Sequence, residues 1–212
     1  LFARIYLTKK GFYDKITMTK QRGINMQIIF GGSFNPPTIA HIKIAQYLLD
    51  NFPEAELIFL PTNNFHIKDN LQDLRFRWQM LEIVCRFLNN RPTISDFELK
   101  LDRFYGTDYT LKHFPKAHFV IGADNLLTLP SWLNFPNVVI NHQFIVFPRH
   151  QLDMENIILQ HPILKQYRHH FMLINDFSEM YISSSDFRKT LDERLVIPEI
   201  AHFIKENHLY KE

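Results

Sequence analysis

The sequence has one cysteine, Cys85, so no intramolecular disulfide can staple it, as suits a chain kept in a reducing compartment. It has no strong excess of either charge: 24 Lys and Arg face 22 Asp and Glu, a formal +2. A balance that close creates no field pointing to nucleic acid. No apolar run approaches the ~20 residues of a membrane span, and the N-terminal segment has no apolar stretch of the kind a secretory signal needs. No internal repeat and no low-complexity tract stands out. Together these absences lead us to expect a soluble, cytoplasmic protein with neither nucleic acid nor membrane as a partner. What is present is 212 residues, 46% of them hydrophobic, enough to bury a sizeable core in one domain with a modest appendage. Eleven histidines add charge that responds to pH near neutrality.

The appendage is the first 25 residues. Arg4, Lys9, Lys10, Lys15, Lys20 and Arg22 stand there against a single acid, Asp14, and Met26 directly precedes a strand-like run. We read 1–25 as a basic N-terminal extension lying outside the domain proper, through translation ahead of a start at Met26 or a fragment boundary. A targeting or nucleic-acid-binding arm is the alternative. Residues 26–212 form the expected domain.

Strand-like and helix-like runs alternate from Met26 on. Gln27–Phe30, Glu56–Leu60, Thr93–Leu99, His118–Ile121, Val138–Ile140, Phe144–Phe147 and Phe171–Ile174 read as strands. Ile39–Leu49 and Arg75–Phe87 repeat their apolar residues at helical spacing, and Asp108–Phe114 reads as a short helix. Ser184–Leu191 and Pro198–Asn207 close the chain as a small helical part, with Pro198 suited to a first helical turn. Alternation of this kind predicts βαβ units and an α/β fold, a Rossmann-like doubly wound parallel sheet. Ligands bind such sheets beyond the carboxyl ends of the strands. The loops after Phe30, Leu60, Leu99, Ile121 and Ile174 are therefore expected to line the site.

The first of these loops runs Gly31-Gly32-Ser33-Phe34-Asn35-Pro36-Pro37-Thr38-Ile39-Ala40-His41. Two glycines let a backbone turn sharply and approach a ligand closely. Amides at the turn and the helix start can face a phosphate. His41 lies three residues after Thr38, one helical turn on the same face, so a hydroxyl and an imidazole could donate to one phosphate chain. An ordinary strand–turn–helix with a buried histidine would fit the spacing equally well. The segment resembles the nucleotidyltransferase signature GGxFDPxHxGH, in which the first His may be Thr, with Asn35 in the place of Asp and Ala40 in the place of Gly. A second segment, Ile182-Ser183-Ser184-Ser185-Asp186-Phe187-Arg188, resembles that family's ISSTxxR. Serines can cap a helix and meet phosphate oxygens, and Arg188 offers a fork of donors.

The middle of the chain narrows the resemblance. His118-Phe119-Val120-Ile121-Gly122-Ala123-Asp124 followed by Trp132 is similar to the FIIGAD…W stretch of bacterial nicotinate-nucleotide adenylyltransferases. Thr107, Thr110 and Leu111 resemble part of its SYTxDTL segment, with Tyr105 and Gly106 departing from Ser-Tyr. Pro61–Lys68 resembles its P….PPHK loop, with Phe65-His66-Ile67 replacing PPH. Arg77 and Met80 resemble the R..M start of the next helix, a structural feature.

The resemblance implies the nucleotidylyltransferase fold and an adenylyl transfer from ATP to nicotinate mononucleotide in NAD biosynthesis, giving deamido-NAD and pyrophosphate, with Mg2+ held mainly by phosphate and water. It assigns catalysis to His41, Thr38 and Arg188. ATP would be bound by Gly31, Gly32, Ser33, Phe34, His41, Ile182, Ser183, Ser184 and Arg188. The mononucleotide would be bound by Lys68, Thr107, Asp124 and Trp132, with Trp132 stacking on the pyridine ring. No carboxylate pair reads as a dedicated metal site. Transfer to nicotinamide mononucleotide, or to both, stays open, as does a nucleotide-binding sensor weakened by the Asn35, Ala40 and Phe65–Ile67 departures. The oligomeric state is open, a homo-oligomer included.

Overall fold

A computed structural model describes residues 26–63 and 71–210. The basic extension at 1–25, Phe65–Ile67 and Lys68 lie outside the described residues.

The strands β1 (Gln27–Gly32), β2 (Glu56–Pro61), β3 (Thr93–Ile94), β4 (Ala117–Gly122), β5 (Gln143–Phe147) and β6 (Phe171–Leu173) form one sheet, ordered β3-β2-β1-β4-β5-β6. Every neighbouring pair is parallel. The sequence explains why: the runs IIF, LIFL and FIVF are buried on both faces, as a sheet covered by helices on both sides requires. Successive residues then serve opposite layers. Ile28 and Phe30 join the cluster of Leu48, Met80 and Phe187, whereas Ile29 joins Leu60, Leu111 and Ala117. A third cluster packs Phe144 and Val146 against Leu126 and Ile158.

The helices α1 (Ile39–Asn51) and α2 (Leu74–Phe87) follow β1 and β2. Beyond them come α3 (Thr107–Lys112), α4 (Ala123–Thr128), α5 (Asn137–Asn141), α6 (Met154–Gln160) and α7 (Pro162–Gln166). The closing pair, α8 (Ser184–Thr190) and α9 (Pro198–Glu206), packs Phe187, Ile200 and Ile204 into the main core. The doubly wound sheet with a small C-terminal helical part is the expected fold. No helix among the described residues is long and apolar enough to cross a membrane.

Two expected strands differ. Thr93–Leu99 is a strand for Thr93–Ile94 alone and then becomes a 3-10 turn, Phe97–Lys100. The Ser95 hydroxyl accepts the Phe97 N–H at 3.2 Å, a local bond that competes with the ladder. Val138–Ile140 lies in α5 rather than a strand, with Val138 and Val139 completely buried; burial at the end of a short loop outweighs the β-branched preference. The helices α4, α6 and α7 are additional to those the periodicity showed.

Candidate active site

The strand order reverses at β1, which pairs with β2 on one side and β4 on the other. The crevice beyond their carboxyl ends is a cavity of about 990 Å³. The five loops expected at the site all reach it, through Ser33, Thr62, Phe104, Asp124 and Met180 among others.

Gly31, Gly32 and Ser33 line the cavity, but the sharp turn is not made by the glycines. Gly31 and Gly32 are the extended end of β1. A Cβ on Gly31 would come within 2.8 Å of the Phe119 ring on β4, so this glycine permits close packing between strands. The left-handed residue is Phe34, at φ 46°. Its fully buried ring packs edge-on against Phe30, Phe59 and His41, so this side chain holds the loop in shape, and an ATP contact at Phe34 would fall to its backbone. Beneath the loop, the completely buried Arg77 donates to the carbonyls of Ser33 (2.8 Å), Thr62 (2.8 Å) and Gln72 (3.1 Å).

His41 lines the cavity. Its Nδ1 accepts the Thr38 N–H at 3.0 Å and lies 2.8 Å from the Thr38 hydroxyl. An Nδ1 used as acceptor leaves the ring proton on Nε2. Burial, with the nearby Arg149 charge, pushes the imidazole down to about 4. His41 is thus a neutral donor at physiological pH. Thr38 is completely buried and absent from the cavity wall; its hydroxyl serves His41 rather than facing the cavity beside it.

The second signature closes on the first. The Ser184 hydroxyl donates to the Pro36 carbonyl at 2.8 Å. Arg188 donates to the Asn35 carbonyl at 2.8 Å and to the Ser185 hydroxyl at 3.1 Å. Ser183 caps α8 by accepting the Asp186 N–H at 3.1 Å, and its own hydroxyl donates to the Asp186 carboxylate at 2.6 Å. Ile182, Ser183, Ser184 and Arg188 all line the cavity. The hydroxyl protons of both serines are directed within the protein, because capping the helix and tying it to the loop is their local work.

At the other end, Thr107, Asp124 and Trp132 also line the cavity. Gly106 stands at φ +92°, and a Cβ there would meet Leu133 at 3.1 Å. That contact brings the turn before Thr107 onto the residue after Trp132. Behind them, the buried Thr110 hydroxyl donates to Glu98 at 2.9 Å, and the buried Asp108 carboxylate takes Lys112 (2.7 Å) and His142 (3.0 Å), fixing α3 against the end of α5.

Arg149 was not among the expected site residues. It lines the cavity after β5, with Nε 3.5 Å from the Asp124 carboxylate. The rule that sites lie beyond strand ends applies to Phe144–Phe147 as to the other strands, and Pro148-Arg149 immediately follows it. The Arg149 charge adds to the larger effect of burial in lowering the His41 pKa, and it is the smallest of the causes, led by the Ser183 hydrogen bond, that lower Asp186, so it reaches both signatures.

The cytidylyltransferase-like family matches residues 29–190. The "Probable nicotinate-nucleotide adenylyltransferase" of Acholeplasma laidlawii is 34% identical, over 88% of this chain and 98% of its own. A protein of the same name from Clostridium novyi is 30% identical, over 86% and 98%. A solved structure of Plasmodium falciparum nicotinic acid mononucleotide adenylyltransferase, complexed with NaAD, superposes with a TM-score of 0.70 at 22% identity, over 88% of this chain and 98% of that one, which speaks for the fold. With two signature segments meeting over one cavity and relatives matched nearly end to end, the chain belongs to the nicotinate-nucleotide adenylyltransferases of the cytidylyltransferase-like family.

Proposed function

We propose that this protein joins ATP to nicotinate mononucleotide, forming deamido-NAD and pyrophosphate. The observation that carries the reading is the junction of the two signatures, Ser184 on Pro36 and Arg188 on Asn35, beside a neutral His41 in one cavity. A phosphate oxygen of the mononucleotide attacks the α-phosphorus of ATP in line, and the bond to pyrophosphate breaks. A phosphate monoester has its second pKa near ~6, so the attacking group is already largely dianionic and no protein base is required. The chain's contribution is position and charge. His41 Nε2–H donates to a phosphoryl oxygen, and Thr38 holds the ring for it. Arg188 and Arg149 face the triphosphate with positive charge, and Ser33 and Ile182–Ser184 shape its cradle. At the far end Trp132 stacks on the pyridine ring, Thr107 meets the nicotinate carboxylate, and Asp124 orders the nucleotide site. Lys68 is a further phosphate ligand in this reading.

Mg2+ would be held by phosphate oxygens and water, since it needs few protein ligands beside a nucleotide. The cavity's two described carboxylates, Glu98 and Asp124, face Thr110 and Arg149 respectively. When bound, the ion would neutralise the triphosphate.

Pyrophosphate release with ATP and Mg2+ tests the reading, with nicotinate mononucleotide, nicotinamide mononucleotide and phosphopantetheine compared as acceptors. Release with the first alone supports it. Release with nicotinamide mononucleotide reassigns the pyridine end, and ATP binding without release for any acceptor favours a sensor.

A further inference from the structure

We propose that Glu179 is a positioning residue for Arg149, clamping the turn that carries this arginine to the loop over the cavity; the proposal rests on the adenylyltransferase reading above. Arg149 is followed by two residues in the left-handed region, His150 at φ 57° and Gln151 at φ 53°. Neither is glycine, so the turn is strained and needs an external partner. Successive amides in such a turn form a concavity suited to an anion. The Glu179 carboxylate fills it: one oxygen accepts the His150 N–H and the other the Gln151 N–H at 2.9 Å. Gln151 in turn donates its side-chain amide to the Tyr181 hydroxyl at 2.7 Å.

Glu179 belongs to the stretch between β6 and α8, which contributes Phe177, Met180 and Ile182 to the cavity wall. That stretch is fastened at its start too. The Tyr47 hydroxyl donates to Asp176 at 2.5 Å, and the Phe177 ring packs edge-on against Phe147 and Tyr47. One carboxylate therefore joins a loop anchored at its start to the turn bearing the cation.

The clamp matters because the guanidinium itself is held loosely. Its pairing with Asp124 is 3.5 Å long, its contact with the His150 ring is 3.4 Å, and its side chain is 43% exposed. The direction of its backbone then decides where the charge stands relative to His41 and Asp186. A shift of ~1 Å in such a group is enough to lower a rate greatly.

The test is a double-mutant cycle, with KM for ATP and kcat measured separately and ATP affinity measured by calorimetry. Glu179→Ala is expected to raise KM for ATP ~10-fold and Arg149→Met to raise it further, with the double variant no worse than Arg149→Met alone. Glu179→Gln, which keeps one carbonyl acceptor, should fall between wild type and Glu179→Ala. If Glu179→Ala fails to fold, Glu179→Gln and Tyr181→Phe replace it in the cycle, each with a ~2–3-fold rise that disappears in the Arg149→Met background. A Glu179 variant equal to wild type, or losses that simply add to those of Arg149→Met, would overturn the clamp while leaving the reaction intact. A wild-type protein that neither binds ATP nor releases pyrophosphate would overturn both readings.

Discussion

Lowering the pH separates His41 from an ordinary histidine. Burial and the Arg149 charge bring its pKa down to about 4, and burial does the same to His118. In the unfolded chain both return to ~6.5. Between these values the unfolded state binds more protons than the folded one, so the stabilisation is complete above ~6.5 and is lost as pH falls towards about 4. The full shift corresponds to ~3 kcal/mol per histidine at the rate of ~1.4 kcal/mol per pH unit. Both side chains are only partly shielded from solvent, and we discount the pair together to ~2–3 kcal/mol. The lowered carboxylates, Asp108 from 3.8 and Glu155 from 4.5 among them, lose their own stabilisation as pH falls below about 5, so they add to the decline only in the lowest part of this window. Urea denaturation from pH 7.5 to 4.5 should show stability nearly level above ~6.5 and declining below it, with a smaller slope in His41→Gln. Ring-proton NMR should place the His41 midpoint more than one unit below 6.5. A midpoint near 6.5, or stability flat from pH 7.5 to 5, would refute the neutral donor. An acid limb in the rate near pH 6 belongs to the mononucleotide phosphate and should persist in His41→Gln.

Other perturbations follow from the geometry. His41→Ala removes the Nε2 donor and should lower kcat ~10²-fold with the fold intact, as judged by circular dichroism; normal turnover would end its assigned role. Trp132→Ala should raise KM for the mononucleotide ~10-fold or more and leave KM for ATP within about twofold; a change confined to ATP contradicts the stacking. Arg77→Met leaves the carbonyls of Ser33, Thr62 and Gln72 without their shared donor. It should destabilise the protein by ~3 kcal/mol or more in urea, with a loss below ~1 kcal/mol showing that water replaces the guanidinium.

Much of the fold, and the segments that meet at the cavity, were legible in the sequence because both signatures are local: a few neighbouring residues carry the loop shape, the cap and the cavity-lining side chain together. What was not legible depends on contacts made across the chain. Phe34 stands beside cavity residues, yet its φ of 46° and the aromatic cluster beneath it turn the ring into the core. Thr38 and His41 sit on one helical face, but nothing in the spacing tells whether they present two donors to a ligand or bond to one another, as they do here at 2.8 Å. Arg149 has no motif around it; its importance comes from β5 ending beside β4. Val138–Ile140 illustrates the same limit in secondary structure, since a β-branched triplet follows whichever element its neighbours bury it in.

The same distinction bears on the departures from the family pattern. Asn35, in the place of the usual Asp, is completely buried, and its side-chain oxygen accepts the Tyr210 hydroxyl at 2.8 Å and the Gln72 N–H at 3.2 Å. Its main-chain carbonyl, which any residue would supply, is the group that holds Arg188. The Asn side chain therefore joins the end of the chain and the segment before α2 to the first loop, and it does so as an acceptor, which a carboxylate would also be. Both donors keep a partner whichever of the two residues stands there. Gly106 is a departure of another kind: its backbone stands at φ +92°, and a side chain there would be strained and would press on Leu133. One change thus alters a support beneath the first loop and the other sets the cavity wall beside Thr107 and Trp132.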